Sequence, residues 1–240
     1  MRKERELTGE YGKNTDGQSE KKAGHAASAL PASTAERLPR YFRCLKQLLV
    51  DGAVRTSSAQ LAGMLRLTAA QVRADLRYFG NAGQQGYGYY VKTLYTEISR
   101  TLGAGDGLCA VMICADEVGT RMADGSLFAG RGVTLTARFT AEQGFLKECT
   151  AECAVPLYPL AELERILTAH PADIAVIGSR CVDVRRLAER LAACGVRGIW
   201  NLSEEELKSF PGVQVRNLAI GDSLMLLCYE IRHGGRALKP

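Results

Sequence analysis

The sequence predicts an α/β protein of two units, a helical N-terminal unit ending in a glycine-rich hairpin and a C-terminal unit of alternating strands and helices. Apolar residues recur at helical spacing in the first part, whereas short apolar runs alternate with helical patterns in the second. Charge divides the chain at the same place. Residues 37–102 hold ten Lys/Arg against three Asp/Glu, and residues 103–240 hold fifteen against seventeen. The basic unit favours an anionic partner, with a solvated basic face as the alternative.

The N-terminal segment, residues 1–36, mixes Lys, Glu, Gly, Ser and Ala without an apolar period, so we expect a disordered arm. It lacks the apolar centre of a signal peptide, and no apolar run in the chain approaches the ~18 residues of a bilayer span, which predicts a cytoplasmic protein. Eight cysteines in such a chain are expected to be reduced thiols. Cys149 and Cys153 lack a second ligand pair, so no structural metal is predicted.

Three helices are predicted in the basic unit. The first begins at Arg37 and stops at Asp51, which a glycine follows. A second short helix leads through a tight turn to a third over residues 68–79. Two short helices joined in this way, the second with exposed Gln and Arg, form a helix-turn-helix. The inward-facing apolar residues are predicted to be Leu38, Tyr41, Phe42, Leu45, Leu48, Leu49, Leu61, Met64, Leu65, Val72, Leu76 and Phe79.

A glycine-rich run, residues 80–90, follows the third helix and is predicted to form a two-stranded wing. Such a wing can approach the sugar-phosphate backbone of a duplex. Arginine can grip guanine or phosphate, and glutamine can pair with adenine, so we predict a winged helix-turn-helix that binds double-stranded DNA. A plain three-helix bundle is the alternative. The predicted DNA-contacting residues are Arg40, Ser57, Ser58, Thr68, Gln71, Arg73, Arg77, Gln84, Gln85 and Tyr87.

Beyond a glycine-rich hinge at residues 103–107, the alternation of elements predicts a parallel sheet with helices on both faces, a Rossmann-like arrangement. The predicted strands are 108–114, 133–139, 174–178 and 198–201, and the predicted helices are 118–131, 159–169 and 182–194. A last helix, residues 219–233, carries an apolar stripe of Ile220, Leu224, Leu227 and Ile231. This helix is too apolar to stand in water, so it packs either on its own sheet or on a partner.

Three motifs of the basic unit occur in order with characteristic gaps: RLP-x-Y, QVR-x-DL-x-x-FG and GYGY. Together they resemble the winged-helix domain of the Rex family of redox-sensing transcriptional repressors, and the resemblance continues more weakly to the end of the chain. It implies a homodimer that binds a pseudo-palindromic operator, senses NAD(H) and swaps its last helix into the partner subunit. One departure is Ala74, where the family commonly has a basic residue.

The resemblance also implies a division of the chain. We expect an arm (residues 1–36), a winged-helix domain (37–102), a Rossmann-like domain (103–218) and a C-terminal dimerisation helix with its tail (219–240).

The cofactor site of the family is degraded in this sequence. Rex proteins carry G-x-G-x-x-G after the first strand, where this chain retains only the third glycine, and Asp116 adds a negative charge where a pyrophosphate would approach. Thr140 occupies the position of an acidic ribose ligand, and Gly125 and Ala219 occupy those of a tyrosine and aspartate that pair across the dimer. The degraded cofactor-binding segment consists of Cys114, Ala115, Asp116, Glu117, Val118 and Gly119.

We therefore expect a Rex-like DNA-binding repressor with a weak or absent NAD(H) response, and not an enzyme. A DNA-binding protein that is ligand-blind or that responds through its thiols is an alternative. A Rossmann-type oxidoreductase is less well supported, because no intact cofactor site and no acid or base over a nicotinamide is visible.

Overall fold

In a computed structural model, the chain forms a helical N-terminal unit and a sheet-based C-terminal unit. The structure describes residues 30–84, 87–114, 122, 127–141, 154–178 and 183–233.

The N-terminal unit is built of four helices and a small antiparallel sheet, whose strand order is β1-β3-β2. Helices α1 and α4 pack against each other, and α2 and α3 cover the core that they form. A 3-10 turn, Arg77–Ala82, leads from α3 into the wing. The elements are α1 (Ala32–Val50), β1 (Arg55–Thr56), α2 (Ser58–Leu65), α3 (Ala69–Leu76), β2 (Gly83–Gln84), β3 (Gly88–Tyr90) and α4 (Val91–Thr101).

Three sequence predictions for this unit need correction. Helix α1 begins at Ala32, so residues 32–36 do not belong to a disordered arm; residues 1–29 lie outside the described part. Helix α3 ends at Leu76, and the chain continues as a 3-10 turn that kinks at Phe79, whose φ and ψ are −109° and 47°. Met64 was expected to face inward but is 47% exposed. The other predicted core residues are buried, except for half-buried Leu49.

The C-terminal unit is a six-stranded sheet in which every neighbouring pair of strands is parallel. The strand order is β6-β5-β4-β7-β8-β9, so the chain order reverses between β4 and β7, as in doubly wound dinucleotide-binding folds. Apolar clusters cover both faces of the sheet. The elements are β4 (Leu108–Ile113), β5 (Val133–Thr140), β6 (Leu157–Pro159), α5 (Leu163–Ala169), β7 (Ile174–Ile177), α6 (Val184–Ala193), β8 (Gly198–Asn201), β9 (Gln214–Asn217) and α7 (Ile220–Arg232).

The Rossmann-like arrangement predicted from the alternation of elements is confirmed, but two strands were missed. The segment predicted as a helix from Pro159 begins as the edge strand β6, and α5 starts only at Leu163. Strand β9 was not predicted at all because it is four residues long and mostly polar. The helix predicted at residues 118–131 lies largely outside the described part; Met122 is helical, whereas residues 127–132 form a turn.

Glycines make the junction between the units. Gly132, which precedes β5, has φ +71°, and a Cβ there would lie 2.5 Å from the carbonyl oxygen of Gly103 and from the carbonyl carbon of Ala104. Gly132 also accepts a hydrogen bond from the Leu108 N–H at 2.8 Å. The predicted hinge is therefore a tight turn whose backbone touches the sheet unit at Gly132.

In the part of the chain that the structure describes, helix α7 leaves much of its apolar side exposed and does not pack it on the sheet. Leu224, Met225 and Ile231 are 63%, 74% and 71% exposed. Within the described residues, no helix has both the length and the apolar character needed to cross a bilayer. An apolar surface of this kind typically marks a protein-protein interface.

A Gly132→Ala variant should unfold more easily than a matched Gly195→Ala variant. Both glycines have positive φ values, +71° and +89°, but a Cβ at Gly195 meets nothing within 4 Å. The left-handed conformation costs an alanine about 1–2 kcal/mol at either position, and only Gly132→Ala adds a backbone collision. Urea denaturation of both variants measures the difference, and equal stabilities would show that the junction is not tight.

Candidate nucleic-acid interface

The orientation of α3 is fixed by a buried carboxylate on its inner side. Asp75 is 2% exposed and accepts hydrogen bonds from three side chains of α1. Thr34 Oγ1 and Tyr41 OH each donate at 3.0 Å, and Arg37 donates through Nε at 2.8 Å and through Nη2 at 2.6 Å. Since the two carboxylate oxygens are held from several directions, α3 can neither rotate nor slide along α1 without breaking charge-assisted hydrogen bonds.

The charge state of this cluster follows from its contacts. Burial acts to raise the pKa of Asp75, but the hydrogen bonds from Arg37, Thr34 and Tyr41 outweigh it, so the pKa lies below its ordinary value. Burial, followed by the nearby negative charge of Asp75, raises the pKa of Tyr41. At neutral pH the carboxylate is therefore ionised and the phenol remains a donor.

With the inner side of α3 held in this way, its polar residues face outward. Arg73 and Arg77 are exposed, and Gln71 is half-buried. Arg73 Nη1 donates to Ser58 Oγ of α2 at 3.3 Å, and Arg77 Nη2 donates to the hydroxyl of Tyr78 at 2.7 Å, with its guanidinium carbon 4.9 Å from the centre of that ring. Both guanidinium groups keep further N–H donors for a ligand.

The predicted serine and threonine contacts begin the two short helices. Ser57 Oγ accepts from the Gln60 N–H at 3.1 Å, and Thr68 Oγ1 accepts from the Gln71 N–H at 3.1 Å. Each hydroxyl is thus an N-cap that still has a proton to donate. The intervening turn passes through Arg66, which adopts left-handed φ and ψ of 54° and 47°.

The wing is a hairpin of β2 and β3 that β1 extends to three strands. Tyr87, at its tip, is 68% exposed. Gln84 lies in β2, and Gln85 lies outside the described residues. At Gly88 the φ is +76°, and a Cβ would lie 2.4 Å from the carbonyl oxygen of Thr56, so this position needs glycine for both conformation and space.

The last residue of the predicted set, Arg40, stands apart from the others. It is exposed on α1, and its Nη2 donates to the carbonyl oxygen of Leu65 in the last turn of α2. A cation at a helix C-terminus stabilises that helix. The described residues of the predicted set otherwise occupy α2, α3 and the wing, which form one continuous segment of the chain.

The residues that support this surface were not predicted from the sequence. Asp75 was passed over although it lies three residues after inward-facing Val72, a spacing that places it on the buried side of α3. Arg55 and Tyr90 were also missed: the guanidinium carbon of Arg55 lies 4.0 Å from the centre of the Tyr90 ring. No sequence signal identified that pair, since the contact depends on the register of β1 against β3.

A second candidate site is the carboxyl edge of the large sheet, between β4 and β7. The Gly178 N–H donates to the Ile113 carbonyl at 2.8 Å, and a Cβ on Gly178 would lie 3.0 Å from that oxygen. Cys114 is 1% exposed and packs in the core of the sheet, and Thr140 at the end of β5 is also 1% exposed. Of the other positions predicted for the cofactor site, Ala219 lies at the start of α7, while residues 115–119 and Gly125 lie outside the described part.

Known proteins share both units. Residues 29–76 match a family model described as "Putative DNA-binding protein N-terminus". The redox-sensing transcriptional repressor Rex of Clostridium beijerinckii is 36% identical over 194 residues, covering 81% of this chain and 91% of that protein. Rex 1 of Thermotoga maritima is 32% identical over 205 residues, covering 85% and 97%.

Solved structures agree with these relatives. A crystal structure of RSP in complex with beta-NAD+ and operator DNA matches with a TM-score of 0.76 at 29% identity, over 86% of this chain and 94% of that one. A crystal structure of RSP in complex with beta-NADH matches with a TM-score of 0.75 at 27% identity, over 86% and 96%.

An Asp75→Asn variant should destabilise the N-terminal unit by about 1–3 kcal/mol at pH 7, because it leaves the partly buried Arg37 without the carboxylate that accepts its hydrogen bonds. Since the folded pKa of Asp75 lies below its ordinary value, this stabilisation is present above about pH 4 and is lost as the pH falls through the folded value. Chemical denaturation of the wild type and the variant between pH 3 and pH 7 should therefore show a difference in the free energy of unfolding that becomes smaller toward pH 3.

The matched control for that series is Asp51→Asn, which removes the same charge at an exposed position at the end of α1. It should change the stability by at most a few tenths of a kcal/mol. If the loss of stability in Asp75→Asn did not depend on pH, the stabilising role of the ionised Asp75 carboxylate would be contradicted.

Proposed function

The chain belongs to the Rex family of redox-sensing transcriptional repressors, and on that premise we propose that it represses transcription by binding operator DNA as a homodimer. The proposal rests mainly on one observation, the buried contacts of Asp75 that turn the polar side of α3 outward. The relatives are repressors, not enzymes. A repressor meets its operator where the chromosome lies, and in a bacterium we propose the cytoplasm.

Helix α3 is the element that we propose for the major groove. Gln71 and Arg73 have the donor and acceptor groups that read base edges, and Arg77 lies one turn further along. The unit that carries them, residues 37–102, has ten basic against three acidic residues. This excess of positive charge favours the approach of the unit to DNA phosphates. The N-termini of α2 and α3, capped by Ser57 and Thr68, offer backbone N–H groups to phosphates.

The other predicted contacts have supporting roles in this proposal. Tyr87 is proposed to meet the backbone beside the groove that α3 occupies, and Gln84 and Gln85, which precede it in the sequence, are proposed for the same contact. Ser58 of α2 accepts a hydrogen bond from Arg73 and so restricts the movement of the arginine side chain. Arg40 joins α1 to the end of α2, and its remaining donors face solvent for a phosphate.

Helix α7 supports the homodimer. Its apolar side chains Leu224, Leu227 and Ile231 are at least half exposed in the single chain. Burying such a helix against a second copy removes its apolar surface from water at about 25 cal/mol per Å². We propose the corresponding division of the chain into an arm that ends before Ala32, a winged unit to residue 102, a Rossmann-like unit to residue 218 and the dimerisation helix with its tail.

The cofactor site of the family does not fit NAD(H) in this chain. Where the fingerprint needs its first glycine, Cys114 continues the sheet through its N–H bond to Phe139 O at 2.9 Å and buries a side chain. Thr140 is too buried, at 1% exposed, to present its hydroxyl to a ribose. In the sequence, Asp116 and Glu117 add negative charge where a pyrophosphate would lie. We propose that the chain responds to NAD(H) weakly or not at all.

Thiol sensing receives little support from two of the cysteines. Burial raises the pKa of Cys44 and of Cys194 above the ordinary value. Because the thiolate is the reactive form, both thiols are poor sensors at neutral pH.

An Arg73→Ala variant should bind operator DNA more weakly than wild type by about 1–3 kcal/mol and discriminate less between sequences. The probe is a duplex that the wild-type chain enriches from a randomised pool, and affinities are measured over a series of salt concentrations. Wild-type affinity should fall steeply as salt rises. Arg165→Ala removes an exposed arginine of the sheet unit that pairs with Glu162 and should bind as wild type does. Failure to enrich any duplex would refute the proposed function.

Calorimetry with NADH and NAD+ should give no submicromolar binding to this chain. RSP, which was crystallised with both forms, is the positive control in the same buffer. A Cys114→Gly/Asp116→Gly variant, which restores two glycines of the fingerprint, should bind more tightly than wild type because it removes a side chain and a charge from the approach of the pyrophosphate. Submicromolar binding by the wild type would show that the carboxylate of Asp116 does not exclude the cofactor.

A further inference from the structure

The wing of this chain is too short to hold its own position. Strand β2 has two residues and β3 has three. An isolated two-stranded hairpin is marginally stable in water even when it is longer than this. Something outside the hairpin must therefore fix the place of Tyr87 before DNA arrives.

The third strand, β1, supplies that support through one side chain. Arg55 is paired in register with Tyr90, and its guanidinium carbon lies 4.0 Å from the centre of the Tyr90 ring and 5.7 Å from that of Tyr87. Its Nη1 donates to the carbonyl oxygen of Tyr87 at 3.0 Å, and its Nη2 donates to the Tyr90 hydroxyl. One planar group thus contacts both the tip residue Tyr87 and the far end of β3 at Tyr90.

The same strand leads directly into the helix-turn-helix. Thr56 bonds through its hydroxyl to Gln60 of α2 at 3.0 Å, and Ser57 caps that helix. Gly88 lets β3 approach β1 so closely that a Cβ would collide with the Thr56 carbonyl. The position of the wing is therefore set relative to α2, and through α2 relative to α3.

We propose that Arg55 is a positioning residue for operator binding, which holds the wing in its bound place so that Tyr87 meets the duplex while α3 occupies the groove. This inference rests on the proposed function. We assign Arg55 to Tyr87 and Tyr90 and not to a phosphate, because its guanidinium lies against both rings and already donates to a carbonyl and to a phenol of the hairpin. Without the contacts of Arg55 to Tyr87 and Tyr90, the hairpin becomes ordered only when DNA binds, and the entropy lost in that ordering lowers the affinity.

Three single variants, and a double variant that combines two of them, test this against the duplex enriched by the wild type. Arg55→Ala should weaken binding about 3- to 10-fold, the cost of ordering an unbraced hairpin. Arg55→Lys should be nearly as weak, because an ammonium cannot form the same fork of contacts. Tyr90→Leu keeps an apolar strand residue but removes the ring and hydroxyl, and it should weaken binding similarly. The double variant Arg55→Ala/Tyr90→Leu should be no weaker than the stronger single effect, because both act through one contact.

The salt dependence separates a positioning role from a direct contact. All three variants should keep the wild-type slope of log affinity against log salt, whereas loss of a phosphate contact lowers that slope by about one. Wild-type affinity for Arg55→Lys, a lower slope for Arg55→Ala, or unchanged affinity in every variant would overturn the proposal. Thermal unfolding of each variant, with Arg165→Ala as the control, checks that the fold is intact.

The Arg73→Ala variant, measured in the same series, separates a failure of the Arg55 proposal from a failure of the proposed function. If Arg73→Ala binds weakly while the Arg55 variants bind normally, only the positioning role is wrong. If Arg73→Ala binds as wild type, the proposed role of Arg73 in base contact is wrong; if the wild type binds no duplex, the proposed function fails and the role of Arg55 fails with it.

Discussion

The carboxylate of Asp75 is the constraint on which the N-terminal unit depends. It is nearly inaccessible to water and is surrounded by a hydroxyl, a phenol and a guanidinium, all from α1. A buried charge is tolerated only when its partners are complete, so the pairing of α3 with α1 is specified and not merely favourable. Apolar packing by Val72 and Leu76 would hold α3 against the core, but it would fix rotation about the helix axis less firmly.

From this fixed helix the structure extends in two directions. Toward the wing, α2 and β1 fix the position of the hairpin relative to α3, through the Ser57 cap of α2 and the contact of Arg55 with Tyr90. Toward the sheet, α4 ends in a turn whose backbone meets Gly132. The two units diverge in how well they preserve their family's chemistry. The winged unit has the arginine and glutamine side chains that we propose for a duplex, whereas the sequence after β4 has one glycine and two carboxylates where we propose that the family's dinucleotide site is degraded. On this proposal the DNA-binding unit of the repressor is better preserved than its cofactor site.

Much of the fold could be predicted from the sequence because its long elements have strong periodicity. Helix α1, the helix-turn-helix and the alternation of strands and helices are each visible in apolar spacing. Short elements escaped, as β6 and β9 show, since three or four residues carry too little pattern. The start of α1 was misplaced because Thr34 is polar, and its burial is explained only by a carboxylate 41 residues away. Exposed residues such as Arg73 could be predicted because their side chains are typical of DNA contacts. The contact between Arg55 and Tyr90 could not be predicted, because it depends on the register of the small sheet.

A crystal structure of the chain bound to its enriched duplex would show directly whether the helix that Asp75 orients reads DNA. We expect α3 in the major groove with the Arg73 guanidinium against base edges, while Asp75 still accepts hydrogen bonds from Thr34, Arg37 and Tyr41. A complex in which α3 lies outside the groove, or in which the duplex is bound by another surface of the protein, would contradict it.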